Sequence, residues 1–543
     1  MKKHFSLTKI TAFLTALVMM ISATSVFAFA AETTDMPTSA DEHIGVITVN
    51  GVEDEATVNA YKIIDVAYNY TAQQPLDPEF YWVNNESLLA YLKGLQGNFA
   101  GLVNDDRSVN TTVINTIKED TELSKQFYDG LAAAIRNGTV NLDAAETRTG
   151  SGNLENLEMG NYLILIENSE KVYQASAVNV APKYNTDTKK WELENPTVTL
   201  KATETNLNKQ IVLADGAKVS ATNANIGDVI SYEVTGKLPV YPELSLNSQY
   251  VIGDKMPNGL TFKEITGVYG VDENGQEYPL TENTDYTVTT TGAKRASDNT
   301  TTVDFAVSFN YATVHANAHN YTDVRIKYTA TLNTTAVLGK DGNVNTAFLD
   351  YTNDPYEKDP SWKSYEKTAT VYTFGFDLTK VDKKDENKTL AGAEFTLYTD
   401  EDLKNAVTFT GTDGSYTKYD TLQADAQTTT VKVDENGKLV LKGLAAGTYY
   451  LKETKAPESY NIASKAFTLV VTNDDNDGIA QNAAGDKFAD GLVTMNIPNS
   501  NGFSLPTTGG MGTVLFTVAG IALVALGVVM IVVLKKKSKK AAE

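Results

Sequence analysis

Two kinds of hydrophobic spacing succeed one another along this chain. From Ile44, apolar residues recur at every second position in short runs divided by Gly, Asn and Asp, as in GVITVNG and ATVNAYKIIDV, the spacing of half-buried strands. Between residues 84 and 145 the spacing lengthens to three and four. ESLLAYLKGL and VINTIKEDTELSKQFYDGLAAAIRNG predict amphipathic helices, the last stopped at Asn137-Gly138. Strand spacing returns at GNYLILIE and QASAVNVAP, so residues 44–196 read as a β domain carrying a helical insertion. A second β unit spans 197–373, with VISYEVTG, DYTVTTT, TVDFAVSFNY and DVRIKYTATL. A third spans 374–500, with EFTLYT, TTTVKV, GTYYLKET and AFTLVVT. The expected fold is mainly β, three sandwiches in tandem. Residues 32–42 are polar without periodicity and predict an unstructured segment.

The two ends follow other rules. Lys2, Lys3 and Lys9 precede an apolar stretch that closes on the small residues of AFA, Ala28 to Ala30, so residues 1–30 read as a secretory signal peptide. Residues 513–534 contain no charge and as a helix would rise about 33 Å, enough to span a bilayer. The basic tail 535–543, KKKSKKAAE, then predicts a cytoplasmic end and an extracellular body. The chain carries a net charge of −22, and because both ends are basic the part between them carries −29 (38 basic against 67 acidic residues), which repels nucleic acid and argues against it as a partner. Cysteine is absent, so an exported chain of this length has no disulfides to staple it.

Alternation also points several polar residues the wrong way. In TFGFDLTKVD the face of Phe374, Phe376 and Leu378 continues to Lys380, and in NLNKQIVL Lys209 lies between Leu207 and Ile211. LVTMNIPNS aligns Val493, Met495, Ile497 and Asn499, and AFLDYTND aligns Leu349, Tyr351 and Asn353. Carboxylates share such faces too: Glu453 with Tyr449 and Leu451, and Asp254 with Tyr250 and Ile252. An unpaired ammonium in an apolar core is costly, so burial lowers the lysine pKa and raises that of the acid. A neutral amine beside an asparagine can attack its side-chain carbonyl while a protonated acid hydrogen-bonds that carbonyl and shuttles protons. Ammonia leaves and an amide remains. Asp254 and Glu453 are the expected catalytic acids of such a reaction.

At these residues the chain resembles the major, or backbone, pilins of Gram-positive bacteria that class C sortases polymerise. LPTTG, Leu505 to Gly509, fits the LPxTG sorting signal, and an apolar span and basic tail follow it in the required order. YYLKETKAPESY resembles the family's E-box, YxLxETxAPxGY, departing at Ser459 where glycine is usual. DKMPNGLTF and NVNTAFLDYTN resemble its second fimbrial domain, and VYTFGFDLTKVD the junction with the third. The resemblance implies immunoglobulin-like, Cna-B-type sandwiches. It implies sortase cleavage between Thr508 and Gly509 within the signal that Leu505 and Pro506 open, with the enzyme's cysteine holding the threonine acyl group until a lysine of the next subunit attacks. QASAVNVAPKY matches the pilin motif WxxxVxVYPK at Val178, Val180, Pro182 and Lys183, with Gln174 in the tryptophan position and Ala181 in the tyrosine position. Lys183 is the expected acceptor, with Lys189, Lys190 and Lys201 as neighbouring alternatives. Internal Lys–Asn bonds are implied at Lys209–Asn353 with Asp254, and at Lys380–Asn499 with Glu453. Asn343 and Asn345 are alternatives to Asn353, as are Asn496 and Asn501 to Asn499. In the first domain Lys62 shares a face with Val58, Ile64 and Val66 without an evident acid partner.

The implied function is a structural pilus subunit on the cell wall. Its partners would be a class C sortase, identical subunits, ancillary pilins, peptidoglycan through a housekeeping sortase, and a host or surface ligand. A wall-anchored monomeric adhesin and an ancillary pilin are the alternative readings. No cofactor is expected, and no turnover enzyme, because no nucleotide loop or nucleophile–base pair is present. No metal site is expected either: His315 and His319 lie in a loop or strand context, and Asn473 to Gly478 has the opening spacing of a calcium loop but Ala484 at its twelfth position.

Overall fold

The computed structural model describes residues 29–316, 318–421, 424–501 and 519–531. These form two compact units. One takes the chain through Ala221 together with Val229–Ala330 and Val344–Thr370; the other takes Thr222–Asp228, Thr331–Asn343 and the chain from Val371.

The first unit begins with a nine-stranded sheet. Seven strands run in the order Gln74–Trp82, Thr57–Asn69, Gly160–Glu167, Ser176–Asn185, Lys190–Thr199, Gly45–Asn50, Gly152–Leu157, with Phe29–Asp35 also pairing Lys190–Thr199 and Glu146–Thr149 also pairing Thr57–Asn69. GNYLILIE is apolar at nearly every position because both of its faces are covered. Leu163 and Leu165 join a core with Trp82, Leu88 and Phe127, whereas Tyr162 and Ile164 join a separate core with Ile47, Val58 and Val180. The first core is roofed by the helices Glu86–Gly94, Thr111–Glu119 and Thr121–Arg136, started by the side-chain caps Asn85, Asn110 and Asp120. Gly138 follows the last helix with φ of 77°.

Residues 32–42 are not all unstructured. The strand Phe29–Asp35 pairs antiparallel with Lys190–Thr199, Thr34 opposite Leu193, and Met36 is buried. Glu32 to Asp35 contribute exposed side chains, so this strand is held through its backbone and leaves no apolar alternation to read.

Two further sheets follow. The strands Leu207–Val212, Val229–Lys237, Asp323–Leu332 and Leu260–Val271 are neighbours in one, and Asn343–Thr352, Tyr250–Lys255, Phe305–Phe309 and Tyr286–Thr289 in the other. In the second unit, Phe374–Asp382 lies between Lys438–Leu444, antiparallel, and Leu492–Asn499, parallel. A four-stranded sheet contains Glu394–Tyr398, Gly447–Lys455 and Phe467–Val471. Phe374, Phe376, Leu378, Phe395, Leu451, Val493 and Ile497 fill the core of this unit.

Residues 519–531 are helical. Among the described residues no helix is long and apolar enough to cross a membrane. Residues 1–28 of the expected signal peptide, the sorting signal 505–509, the basic tail and both ends of the expected span lie outside the described residues, and the last two residues of that signal peptide, 29 and 30, open the strand Phe29–Asp35.

Candidate functional sites

The alternation of Leu207–Val212 carries Lys209 into the core, where it is 3% exposed. Its Nζ lies 2.5 Å from Oδ2 of Asp254, a fully buried side chain on Tyr250–Lys255. The hydroxyl of Tyr328 donates to the same carboxylate oxygen at 2.6 Å, and Nδ2 of Asn345 donates to that hydroxyl at 3.1 Å. The rings of Tyr232 and Tyr328 stack at 5.1 Å, and the lysine nitrogen stands 5.2 and 5.7 Å from their centroids. Burial lowers the Lys209 amine to about 8 despite Asp254, and burial raises the Asp254 carboxyl. Both shifts favour moving the proton from lysine to aspartate, leaving a neutral amine and a neutral acid. Asp254 Oδ1 and Asn345 Oδ1 are buried with no hydrogen-bond partner.

Asn353 is not in this cluster. It is buried, but its Nδ2 donates to the carbonyl of Ser169 at 2.7 Å. Asn345 and Asn353 stand eight residues apart on or just past one strand, about 26 Å at the usual strand rise. The register sets Asp254 opposite Ala347 but Tyr250 opposite Tyr351, so the acid lies at the Asn345 end. Asn343 is engaged with the backbone of Val337 and Val371. Asn345, the alternative, therefore takes the position expected of Asn353.

The second cluster joins Lys380, Asn499 and Glu453, exposed 1%, 3% and 1%. Lys380 Nζ donates to Asn499 Oδ1 at 2.8 Å and to the Ile497 carbonyl at 2.7 Å. Asn499 Nδ2 donates to both Glu453 oxygens, at 2.9 and 3.0 Å, and to the Asn461 carbonyl. The Ala463 amide donates to Glu453 at 2.6 Å. The acid thus faces the amide nitrogen, where the sequence predicted it against the carbonyl. Burial lowers the Lys380 amine to about 8, opposed by Glu453. Asn496 is exposed and donates to Glu386. Ser459 adopts φ of 68°, so the turn keeps the left-handed backbone that glycine favours and accommodates serine in it.

Lys62 does have acid partners: Asp65 at 2.8 Å and Glu158 at 2.5 Å. Both carboxylates are exposed, unlike the acids of the two clusters. Lys183 is the first exposed position of Ser176–Asn185, and its Nζ lies 2.6 Å from Glu194 Oε1. His315 stacks on Tyr311 and His319 on Tyr278, so different tyrosines hold the two rings. Asn473 directs its side-chain oxygen at the Gly478 amide, closing its own loop.

Comparison with protein families matches residues 226–355 to a Gram-positive pilin backbone subunit 2, Cna-B-like domain. Residues 375–484 match a prealbumin-like fold domain, and 497–540 an LPXTG cell wall anchor motif. The trypsin-resistant surface T6 protein of Streptococcus pyogenes is 27% identical over 267 residues, covering 46% of this chain and 43% of that protein. The fimbrial subunit type 1 of Actinomyces viscosus is 26% identical over 442 residues, covering 74% and 77%. Among solved structures, the T6 backbone pilin of S. pyogenes superposes with a TM-score of 0.56 at 19% identity over 86% of this chain and all of that one. The major pilin SpaD of Corynebacterium diphtheriae gives 0.50 at 16% identity over 86% of this chain and all of that one. These likenesses show a mainly β, pilin-type fold.

Proposed function

We propose that this chain, a backbone pilin of the SpaA/T6 type with an LPXTG anchor, is the repeating subunit of a cell-wall-anchored pilus and is joined to its neighbours through the Thr508 carbonyl and the Lys183 amine. The observation that carries this reading is the succession, in one chain, of a pilin-backbone domain, a prealbumin-like domain and a wall anchor. A class C sortase would cleave at Thr508–Gly509, identical subunits would supply the acceptor lysine, and a housekeeping sortase would fix the finished polymer to peptidoglycan. Ancillary pilins and a surface ligand are the further partners of such a fibre. Three tandem sandwiches, 44–196, 197–373 and 374–500, are its building blocks.

Each of the last two sandwiches would seal itself with one amide, Lys209 to Asn345 assisted by Asp254, and Lys380 to Asn499 assisted by Glu453. The chemistry follows from burial. Once the lysine proton has passed to the acid, the amine is a nucleophile beside the asparagine side chain, and the acid can protonate the departing nitrogen. In the second cluster the amide turns its oxygen to the ammonium and its nitrogen to the carboxylate, which already sets the acid at the group that must leave as ammonia.

Denaturing gels of wall extracts test the polymer: a high-molecular-weight ladder is expected, lost in Lys183→Ala, and a single monomer band from the wild type overturns the reading. Intact-mass measurement of the ectodomain tests the internal bonds. A deficit of two ammonia molecules is expected; Asn345→Ala removes one, and Asn353→Ala removes none. A mass equal to that of the plain sequence excludes both bonds.

A further inference from the structure

The acceptor lysine has a partner that the motif does not name. We infer that Glu194 is the general base for polymerisation: the subunit that supplies the Lys183 amine also supplies the carboxylate that takes its proton. This rests on Lys183 being the acceptor.

Three observations carry it. The first is the contact itself, Nζ to Oε1 at 2.6 Å, between a lysine side chain 54% exposed and a glutamate side chain 10% exposed. The amine is presented outward while the acid is fixed beneath it. The second is the choice of partner. The residue directly opposite Lys183 across the ladder is Glu192, not Glu194. Glu192 is occupied, accepting from Asn185 Nδ2 at 2.9 Å and from the Thr188 hydroxyl at 3.1 Å, and these bonds stabilise its charged form. The diagonal Glu194 is left to the lysine. The third is Ala181, which stands directly opposite Glu194 where the pilin motif usually has tyrosine. A methyl group there leaves the glutamate free to lean along the sheet to Lys183. Among the described residues the side-chain amines of Lys189, Lys190 and Lys201 make no ion pair or hydrogen bond, Lys190 acting on Glu192 only at longer range, so of the four candidate amines only Lys183 has a carboxylate in contact.

In the free subunit the amine is held in this ion pair. Docking of the acyl-enzyme, the Thr508 thioester on the transpeptidase cysteine, excludes water from the exposed side of Lys183, and an ion pair stripped of solvent relaxes to a neutral amine and acid. The ammonium gives one proton to Glu194. The amine then attacks the thioester carbonyl carbon; the C–N bond forms, the C–S bond breaks, and the sulfur leaves with the electron pair and takes the second proton. The third stays on the new amide.

The test reconstitutes polymerisation from the full ectodomain, sorting signal included, and a class C sortase. Glu194→Gln preserves shape and a hydrogen bond to Lys183. It is expected to lower kcat for subunit joining about 100-fold, leaving KM for the acceptor, thermal stability and acyl-enzyme formation at Thr508 unchanged. Glu194→Asp should recover part of the rate. A Glu194→Gln protein that polymerises at the wild-type rate, or one that loses rate only through KM or folding, overturns the proposal. If Glu194→Gln is silent while Lys183→Ala abolishes joining, the acceptor assignment stands and the base is wrong. Joining that survives Lys183→Ala overturns both.

Discussion

At the scale of single residues, the chemistry depends on where a proton sits in a place without water. Lys380 is as buried as the phenylalanines beside it, and its amine is lowered from 10.5 to about 8. This has a consequence in any variant that cannot form the bond. In Asn499→Ala the amine stays free, and below about pH 8 the folded protein must hold a buried ammonium. Between about 8 and 10.5 the folded state has released that proton while the unfolded chain still binds it, so stability rises with pH across this window. Denaturant midpoints measured at both ends of the window should show that rise in the variant. A cross-linked wild type has no amine to titrate there and should show less of it. Equal pH dependence in the two proteins would contradict a free amine at this site. The same scale explains the asparagine assignment. Residues 345, 347, 349, 351 and 353 all lie on one face, so a two-residue period identifies the face but not the position along it. That position follows from which residue pairs with Asp254.

At the scale of elements, each cluster depends on strands that bring distant residues together. Lys209 and Asp254 come from different sheets, and Gly253, the residue before Asp254, packs against neighbouring strands of its own sheet. A Cβ at Gly253 would meet the Phe348 ring and the Phe305 carbonyl. Gly253→Ala should therefore destabilise by about 1–3 kcal/mol, the usual cost of overpacking. Because it displaces the strand that holds Asp254, it should also slow the first bond more than the second. Thermal melts together with time-resolved intact mass would show this, and an alanine variant that closes both bonds at the wild-type rate would contradict it. In the second unit the parallel register aligns Lys380 with Ile497 and Asp382 with Asn499, so the lysine reaches diagonally to the last residue of the final strand. Phe374–Asp382 and Leu492–Asn499 are thus neighbours before any covalent bond joins them.

At the scale of the whole molecule, the proposed fibre would have to carry load through a chain without cysteine. If force enters near Lys183 and leaves at Thr508, it passes along Leu492–Asn499, which is paired in parallel with Phe374–Asp382. An amide between Lys380 and Asn499 transfers that force from the last strand directly to the first and bypasses the sheet between them. Single-molecule pulling on the ectodomain should accordingly show no extension from residues 380–499 in the wild type. In Lys380→Ala a full unfolding step from that segment should appear. Extension of the segment in wild-type molecules of reduced mass would exclude the load-bearing role. Such a bond also restricts the unfolded chain much as a disulfide does, by about 4–5 kcal/mol for a loop of this size.

The sequence alone determined whatever depends on local periodicity and on short motifs read in order. Strand alternation marked Lys209, Asp254, Lys380, Glu453 and Asn499 as inward-facing, helical spacing located the roof of the first sheet, and the sorting signal, apolar run and basic tail could be recognised without a fold. Tertiary structure decided whatever depends on register and on pairing between segments distant in the chain. It brought Asn345 rather than Asn353 toward Asp254, because alternation is blind to position along a strand. It turned the polar segment after Phe29 into a strand, because backbone hydrogen bonds need no apolar side chains. It also set Glu194 rather than Glu192 against Lys183, because the nearer carboxylate was already bound by the turn beside it. A face can be read from one strand, but a partner requires two.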